Sequence, residues 1–537
     1  MAIMLLLAAV GIQLLAGAFH SERGLYSDEA AHFMNGLLIR DYVREALGTS
    51  PLAFAREYYQ AYPKIAPLMW PPLFHAVLGL ALLPGWPPMT VAILLLGGCM
   101  AWIAWRLYFV ALESTSTPAA VGVTALFLVT PAVVRLGSSV MVDIVIAAFA
   151  MEAAWWLGRY FETTKVRHAA LFGVMTACAC LVKGNGISVV LAPGVLLIIT
   201  GRWDILRRSG LYLAAAIVVV FAVPFLALAY RLDGALGDFG PLTWPLVLER
   251  LRFYSSQIWM QLGTWPLVLA AIGSLVVLSR PSWLSLRAYL QTASLLAVVL
   301  GTFAFHVLSP HLLSDERYIT LALAPMLGLT AQGVMTACRP VPSPVVRRTA
   351  QLSLFLLMAT LHVRHSLPAA QRPLGYRAVA SVLADQPLEG RRLLIVSDEQ
   401  GEGACVAEIA VLNRHPRPMV IRGSKLLASD DWMGRNVVVH YSSPEAILAD
   451  LEAMHVEFIV LDEASEARAL PYWGLVDAVA SRFPDRVVRV FSRAVDERRG
   501  PIRPLSVYRL TTLAEGAPKP VPASVPTLAI QLGTLGR

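Results

Sequence analysis

Apolar residues run through this chain in long unbroken stretches, not in the short alternations of a water-soluble fold. Residues 2–20 have Gln13 as the one polar side chain before the terminal His20. Further apolar stretches lie near 88–110, 118–136, 144–160, 168–182, 185–200, 210–230, 264–279, 288–307, 319–337 and 349–363. A helix needs about 20 apolar residues to cross a bilayer, so the pattern predicts a polytopic α-helical membrane protein with about eleven spans and soft boundaries. No basic segment precedes residue 2 and no small-residue cleavage site follows, which favours a first transmembrane helix over a signal peptide. Segment 65–85, broken by Pro67, Pro71, Pro72 and Pro84, is too interrupted to span and reads as a helix lying in the interface.

Beyond His362 the period changes. Residues 392–397, 419–422, 457–462, 487–492 and 505–510 read as strands, and 404–413, 444–454 and 472–483 as helices, which predicts a small C-terminal α/β domain. Gly401-Glu402-Gly403 reads as a plain turn, because it lacks the Lys and further Gly of a phosphate loop. Prolines 518, 520, 522 and 526 mark a disordered tail. The expected organisation is a transmembrane domain over 1–363 with a first outer loop at 21–87, an α/β domain over 364–512, and a tail over 513–537.

Composition sharpens this division. Residues 1–363 hold 23 Lys/Arg and 16 Asp/Glu, whereas the shorter 364–537 hold 21 and 20, so charge is sparse only in the first part. The overall 57% apolar and 15% charged is therefore an average over two unlike parts. The net charge of +8 sits almost wholly in the first part and reflects topology; no basic run with interleaved aromatics suggests nucleic acid. Twelve cations, Arg106, Arg159 and Arg287 among them, collect on alternate connections and mark the cytoplasmic side, against six on the others. The first loop and the C-terminal domain then lie outside. Five cysteines, four of them in apolar stretches, argue against a disulfide framework or zinc site.

In this register the remaining polar clusters fall on the outer face. The first loop carries Ser27-Asp28-Glu29-Ala30-Ala31-His32. Later outer connections carry Asp143, then Lys183-Gly184-Asn185-Gly186, then Ser314-Asp315-Glu316-Arg317-Tyr318. Carboxylates and cations from separate hairpins meeting at one membrane surface suit an enzyme that joins an acceptor to an anionic, lipid-linked donor.

An Asp-Glu pair after the first helix, Pro-Pro-Leu-Phe-His at 71–75, an Asp after the third helix, a Lys-Gly after the fifth and an Arg-Tyr before a late helix together resemble the GT-C superfold of membrane glycosyltransferases. The resemblance spans roughly residues 1–340. It is greatest to the branch of protein O-mannosyltransferases, lipid A aminoarabinose transferases and RgtA/B/C/D-like lipopolysaccharide glycosyltransferases. It implies inverting transfer of a sugar from a polyprenyl-phosphate donor to a lipid, glycan or protein acceptor, and makes Asp28 the general base. A carboxylate at the membrane edge can take the acceptor's proton as its oxygen attacks the sugar. Glu29 would orient that base, bind the acceptor or start the following helix, and Asp143 falls where the family has a second acidic residue.

The leaving lipid phosphate needs cations more than an acid. Lys183 is the first candidate, Arg317 with Tyr318 the second, and Lys64 the third. Asp28 and His32, at i and i+4, could share a divalent metal with Asp143. Without an Asp-x-Asp pair, and in a branch that does not generally depend on one, no metal or other cofactor is expected. Glu152, nine residues inside the helix that Asp143 opens, reads as a neutral or hydrogen-bonded acid between helices. The aromatic cluster Trp244, Phe253, Tyr254, Trp259 and Trp265 could line a groove or form an interfacial belt.

The rival class is a polytopic transporter or flippase, which would carry its charged or broken-helix sites near the bilayer midplane and show repeated halves. A binding or assembly protein with a degenerate site is a third. The 39 Arg against 5 Lys point to a GC-rich, bacterial genome and an inner-membrane setting with a periplasmic active site.

Overall fold

Each apolar stretch that lacks water to satisfy its backbone must close its own hydrogen bonds, and the helix is the form that does so within one segment. In a computed structural model the described residues are 1–67, 69–232, 241–309, 314–366, 374–412, 415–429, 436–493 and 503–521. The end of the expected tail, with Pro522 and Pro526, lies outside them, as does Asn413. The chain divides into two compact units. One comprises residues 1–18, 68–74 and 92–370, and the other residues 19–67, 75–91 and 371–537.

The first unit is helical. All eleven apolar stretches fall on helices, but by length and composition alone five helices among the described residues can cross a membrane: Pro88–Ser114, Asp143–Thr163, Ser209–Leu228, Leu286–Leu308 and Glu316–Ala337. Two bent pairs raise this to seven. Thr117–Leu128 with Pro131–Gly137 bends by 56°, and Trp244–Leu262 with Thr264–Ser279 by 112°. Pro131 opens the second half of the first pair, where its missing N–H costs nothing. Gly263, at φ 73°, makes the sharper corner. Ala2–Leu15, Val166–Val182 and Gly184–Thr200 are shorter apolar helices.

Close approach and buried polar ties hold these helices together. A Cβ at Gly273 would lie 2.0 Å from the Leu329 carbonyl oxygen, and one at Gly333 1.9 Å from that of Leu269, so the two backbones touch where only glycine fits. Gln13 is fully buried and donates to the carbonyls of Ile93 (2.9 Å) and Gly137 (2.7 Å), which ties the first helix to two others.

The intramembrane acid is hydrogen-bonded between helices, one of the two states expected, and its partner is charged. Glu152 is ion-paired: Arg106 reaches it through Nε at 2.7 Å and Nη2 at 2.5 Å, and Trp102 donates at 3.2 Å. Arg106, expected among the loop cations that mark the cytoplasmic side, instead sits two turns inside the Pro88–Ser114 helix and is buried. A buried carboxylate requires a partner of this kind. Arg106→Leu is expected to cost about 3–5 kcal/mol by stranding Glu152, whereas Arg106→Met combined with Glu152→Met recovers most of that loss. Thermal unfolding of the two proteins in detergent measures the difference.

The second unit contains a five-stranded sheet ordered β2-β1-β5-β7-β6, with β1 Arg392–Val396, β2 Met419–Arg422, β5 Val456–Asp462, β6 Val487–Arg493 and β7 Leu505–Leu510. Strands β3 Ala428–Ser429 and β4 Val438–Val439 form a separate ribbon. β1 runs parallel to β2 and β5, and β7 is antiparallel to both β5 and β6. β5, Val-Glu-Phe-Ile-Val-Leu-Asp, is buried along its whole length, as expected of a central strand covered on both faces. Leu394, Ile459, Leu451 and Val476 meet in the core. Helices Tyr376–Ala384 and Glu399–Val411 differ from the sequence reading: the first is unanticipated, and the second begins five residues early and absorbs the expected turn. Asp398 explains the early start, because its side chain accepts from the Gly401 N–H and caps that helix.

Residues of the first loop pack into this same unit. Glu22 Oε2 accepts from the backbone N–H groups of Leu374 (3.1 Å), Gly375 (2.7 Å) and Tyr376 (2.7 Å), capping the Tyr376–Ala384 helix from a distant part of the chain. Arg23, fully buried, pairs with Glu408 at 2.5 Å and lies 4.3 Å from the Phe33 ring centroid.

Candidate active site

In the first unit three connections bring their polar residues together. Asp143 opens the Asp143–Thr163 helix and is fully buried. Its Oδ1 accepts from Lys183 Nζ at 2.8 Å. Lys183 follows the Val166–Val182 helix in extended conformation and is succeeded by the 3-10 turn Gly184–Leu191. The ammonium stands 5.0 Å from the centroid of the Tyr318 ring, and that ring stacks on His306 at 5.4 Å. Of the residues expected from sequence, Lys183 thus touches two others, Asp143 and Tyr318.

Arg317 is engaged locally. Asp315 takes its Nε at 2.9 Å, its Nη2 at 2.5 Å and its backbone N–H at 2.8 Å. Burial pushes the Asp315 carboxyl up, but the hydrogen bonds and charge of Arg317 outweigh it and hold it below the ordinary carboxylate range. Glu316 pairs instead with Arg135 at 3.3 Å. Within this setting Asp143 Oδ2 and both polar atoms of the Asn185 amide are buried and have no hydrogen-bond partner among the described residues. Such groups are costly unless something polar meets them.

In the aromatic cluster Tyr254 is buried, with its ring 5.7 Å from His306, whereas Trp244, Trp259 and Trp265 are exposed. His306 had no signal in the sequence, since it is one polar residue near the end of an apolar helix.

Asp28, Glu29 and Lys64 belong to the second unit. The helix Ser27–Glu45 has Tyr26 at its N-cap, so Ser27 does not cap it, and Asp28 and Glu29 fall in the first turn. Glu29 is fully buried and turns back to accept from the Leu25 N–H at 3.1 Å, a local structural bond. Asp28 is half-buried. One turn on, His32 shares a 3.0 Å hydrogen bond with His75, whose ring burial pushes down to about 3 and keeps neutral. Among the described residues no group of three or more His, Cys, Asp or Glu could hold a metal ion.

Lys64 is held from two sides. Asn35 grips the backbone of Ala66, accepting its N–H at 2.9 Å and donating to its carbonyl at 3.3 Å, which fixes the segment against the Asp28 helix. On the other side a Cβ at Gly403 would meet Lys64 Cε at 2.8 Å and the Ala30 Cβ at 3.1 Å. Gly403 is therefore a packing position beside Lys64. Glu402 next to it binds Arg422 Nε (2.8 Å) and the Ser424 N–H (2.7 Å), so Gly401-Glu402-Gly403 is structural. Burial first, and then the Arg422 charge, pull the Lys64 ammonium down to about 8 against the opposing pull of Glu399, Asp28 and Glu402.

The family described as dolichyl-phosphate-mannose-protein mannosyltransferase matches residues 70–228, a stretch that contains Asp143 and Lys183. No curated protein is a significant match to the chain. Among solved structures the chain is similar to ArnT from Cupriavidus metallidurans in the apo state, with 12% identity, a TM-score of 0.55, and coverage of 94% of this chain and 97% of that one. The same protein bound to undecaprenyl phosphate matches with TM-score 0.55 at 12% identity over 96% of this chain and 99% of that one. The archaeal oligosaccharyltransferase AglB from Archaeoglobus fulgidus, in complex with an inhibitory peptide and a dolichol-phosphate, matches at 13% identity and TM-score 0.51 over 86% and 69%. At these identities the likeness is one of fold.

Proposed function

We propose that this chain, an integral membrane protein with the GT-C fold, is an inverting glycosyltransferase that moves a sugar from a polyprenyl-phosphate donor to a lipid, glycan or protein acceptor. The observation that carries the reading is the Lys183–Asp143 pair beside Tyr318, with Asp143 fully buried, Lys183 largely shielded, and Asp143 Oδ2 and the Asn185 amide lacking partners among the described residues. An ammonium fixed by a carboxylate and desolvated by its surroundings stabilises developing negative charge far better than one in water. In this reading Asp28 takes the proton of the acceptor hydroxyl as that oxygen bonds to the sugar C1. The bond from C1 to the phosphate oxygen breaks with both electrons staying on the phosphate. Lys183 meets that charge, Asp143 holds Lys183 in position, and Arg317, Tyr318 and Lys64 bind the donor phosphate. Glu29 shapes the turn that carries Asp28.

The reading carries with it eleven membrane spans and a bacterial inner-membrane setting, with Asp28, Lys183 and the α/β domain at 364–512 on the periplasmic side. That two structures of similar fold hold undecaprenyl phosphate and dolichol-phosphate, the lipid part of such a donor, supports the donor class. Incubating the purified protein with radiolabelled polyprenyl-phosphate sugars and candidate acceptors tests it. Release of free polyprenyl phosphate together with a labelled acceptor is the expected result, and label that stays on the lipid with every donor defeats the proposal.

Lys64 adds a pH dependence. Its folded-state pKa is lowered from 10.5 to about 8, so the ammonium that would bind the phosphate is lost as pH rises through about 8. The KM for donor is expected to climb above that pH in the wild type and to stay level through it in Lys64→Arg, whose guanidinium remains charged. The sign for stability is opposite. Between about 8 and 10.5 the unfolded chain binds the Lys64 proton better, so this group's contribution makes the fold more stable as pH rises across that window.

A further inference from the structure

Toward the other end of the helix that Asp143 opens, twelve residues or roughly 18 Å along its axis at Trp155, a cavity of about 530 Å³ lies in the first unit, apart from every residue of the proposed active site. Its walls include Trp105, Phe109 and Trp155, and its charged residues are Arg106, Glu113 and Arg287. Arg106 is fixed by Glu152 and lies 4.9 Å and 4.5 Å from the centroids of Trp105 and Trp155. Glu113 and Arg287 pair with each other. Glu113 is the second-last residue of Pro88–Ser114 and Arg287 the second of Leu286–Leu308, so this pair marks helix ends, where a spanning helix meets the lipid headgroups.

Three features select a ligand. Of the two guanidinium groups, Arg106 is neutralised by Glu152 behind the wall and Arg287 by Glu113, so an anionic headgroup finds no surplus cation. The pair at the helix ends is incompletely used: Glu113 Oε2 is buried without a hydrogen-bond partner among the described residues, while the Arg287 side chain is 48% exposed. The rest of the lining is aromatic but for Leu112, a surface that favours both cations and acyl chains.

We propose that this cavity binds a zwitterionic phospholipid whose headgroup carries a primary ammonium, that is, phosphatidylethanolamine. The ammonium donates to Glu113 Oε2, the phosphate accepts from Arg287, and an acyl chain lies along Phe109 and Trp105. A choline headgroup fits the charge pattern but has no N–H to donate, and a glycerol headgroup has no cation.

The test reads lipid binding, so it stands or falls independently of glycosyl transfer. The full-length protein in detergent is offered palmitoyl-oleoyl phosphatidylethanolamine, phosphatidylcholine and phosphatidylglycerol in equal amounts, and bound lipid is counted by native mass spectrometry. Retention of phosphatidylethanolamine is expected to exceed that of either competitor by about tenfold, the worth of one hydrogen bond to a charged group. Glu113→Gln is expected to level phosphatidylethanolamine with phosphatidylcholine. Equal retention of the three lipids, a preference for phosphatidylglycerol, or an unchanged preference in Glu113→Gln overturns the proposal. If that variant fails to fold, the headgroup comparison on the unaltered protein decides by itself.

Discussion

Asp28→Asn is expected to lower the turnover of donor and acceptor by about 10²–10⁴-fold, the range that a positioned general base contributes. The amide keeps the size and the helix-start position of the carboxylate, so the loss reports on the proton and not on packing. Glu29→Gln is the matched control. Its carboxylate is buried and committed to the Leu25 N–H, a bond the amide oxygen can also accept, so this neighbour is expected to fall by less than about tenfold. Measuring kcat for both in the same membranes decides the assignment: equal losses would mean that the turn carrying the pair matters and that Asp28 is not the base.

The second large effect is expected at Lys183. Removing its ammonium by Lys183→Met withdraws the charge proposed to meet the leaving phosphate, worth about 10²–10³ in kcat. It also strands the fully buried Asp143, at a cost of about 3–5 kcal/mol in stability. The double change Lys183→Met with Asp143→Asn separates the two. Stability is expected to return because no lone charge remains, while turnover stays low because the cation is still absent. If turnover returns with stability, Lys183 is a structural partner of Asp143 and nothing more.

The helices were legible because apolar runs of this length permit one backbone solution in lipid, and the central strand because residues 458–461 of β5 form an unbroken apolar run. Membrane topology was less accessible. Arg106 looks like a loop cation in a count of charges and becomes the partner of Glu152 only when two helices are brought side by side. The same limit applies to the site. The residue types at 28, 143, 183 and 317 stood out as charges at the ends of apolar runs, yet the 2.8 Å contact of Lys183 with Asp143 joins positions 40 apart. Neither the stacking of His306 on Tyr318 nor the seat that Gly403 makes for Lys64 has a periodic signature. Gly401-Glu402-Gly403 read as a turn because Asp398, three residues before Gly401, was not recognised as the cap that starts the helix there.

The grip of Glu22 on the backbone of residues 374–376 bears on how the protein is made. Glu22 leaves the ribosome 352 residues ahead of Leu374. At roughly 5–20 residues per second that interval is about 18–70 s, during which the loop carrying Asp28 has neither its Glu22 ties nor the Arg23–Glu408 pair. A nascent chain halted before residue 374 therefore carries Asp28 on a loop that lacks both of these ties. If Asp28 is the base proposed above, a chain terminated before these partners are made is expected to lack transfer activity.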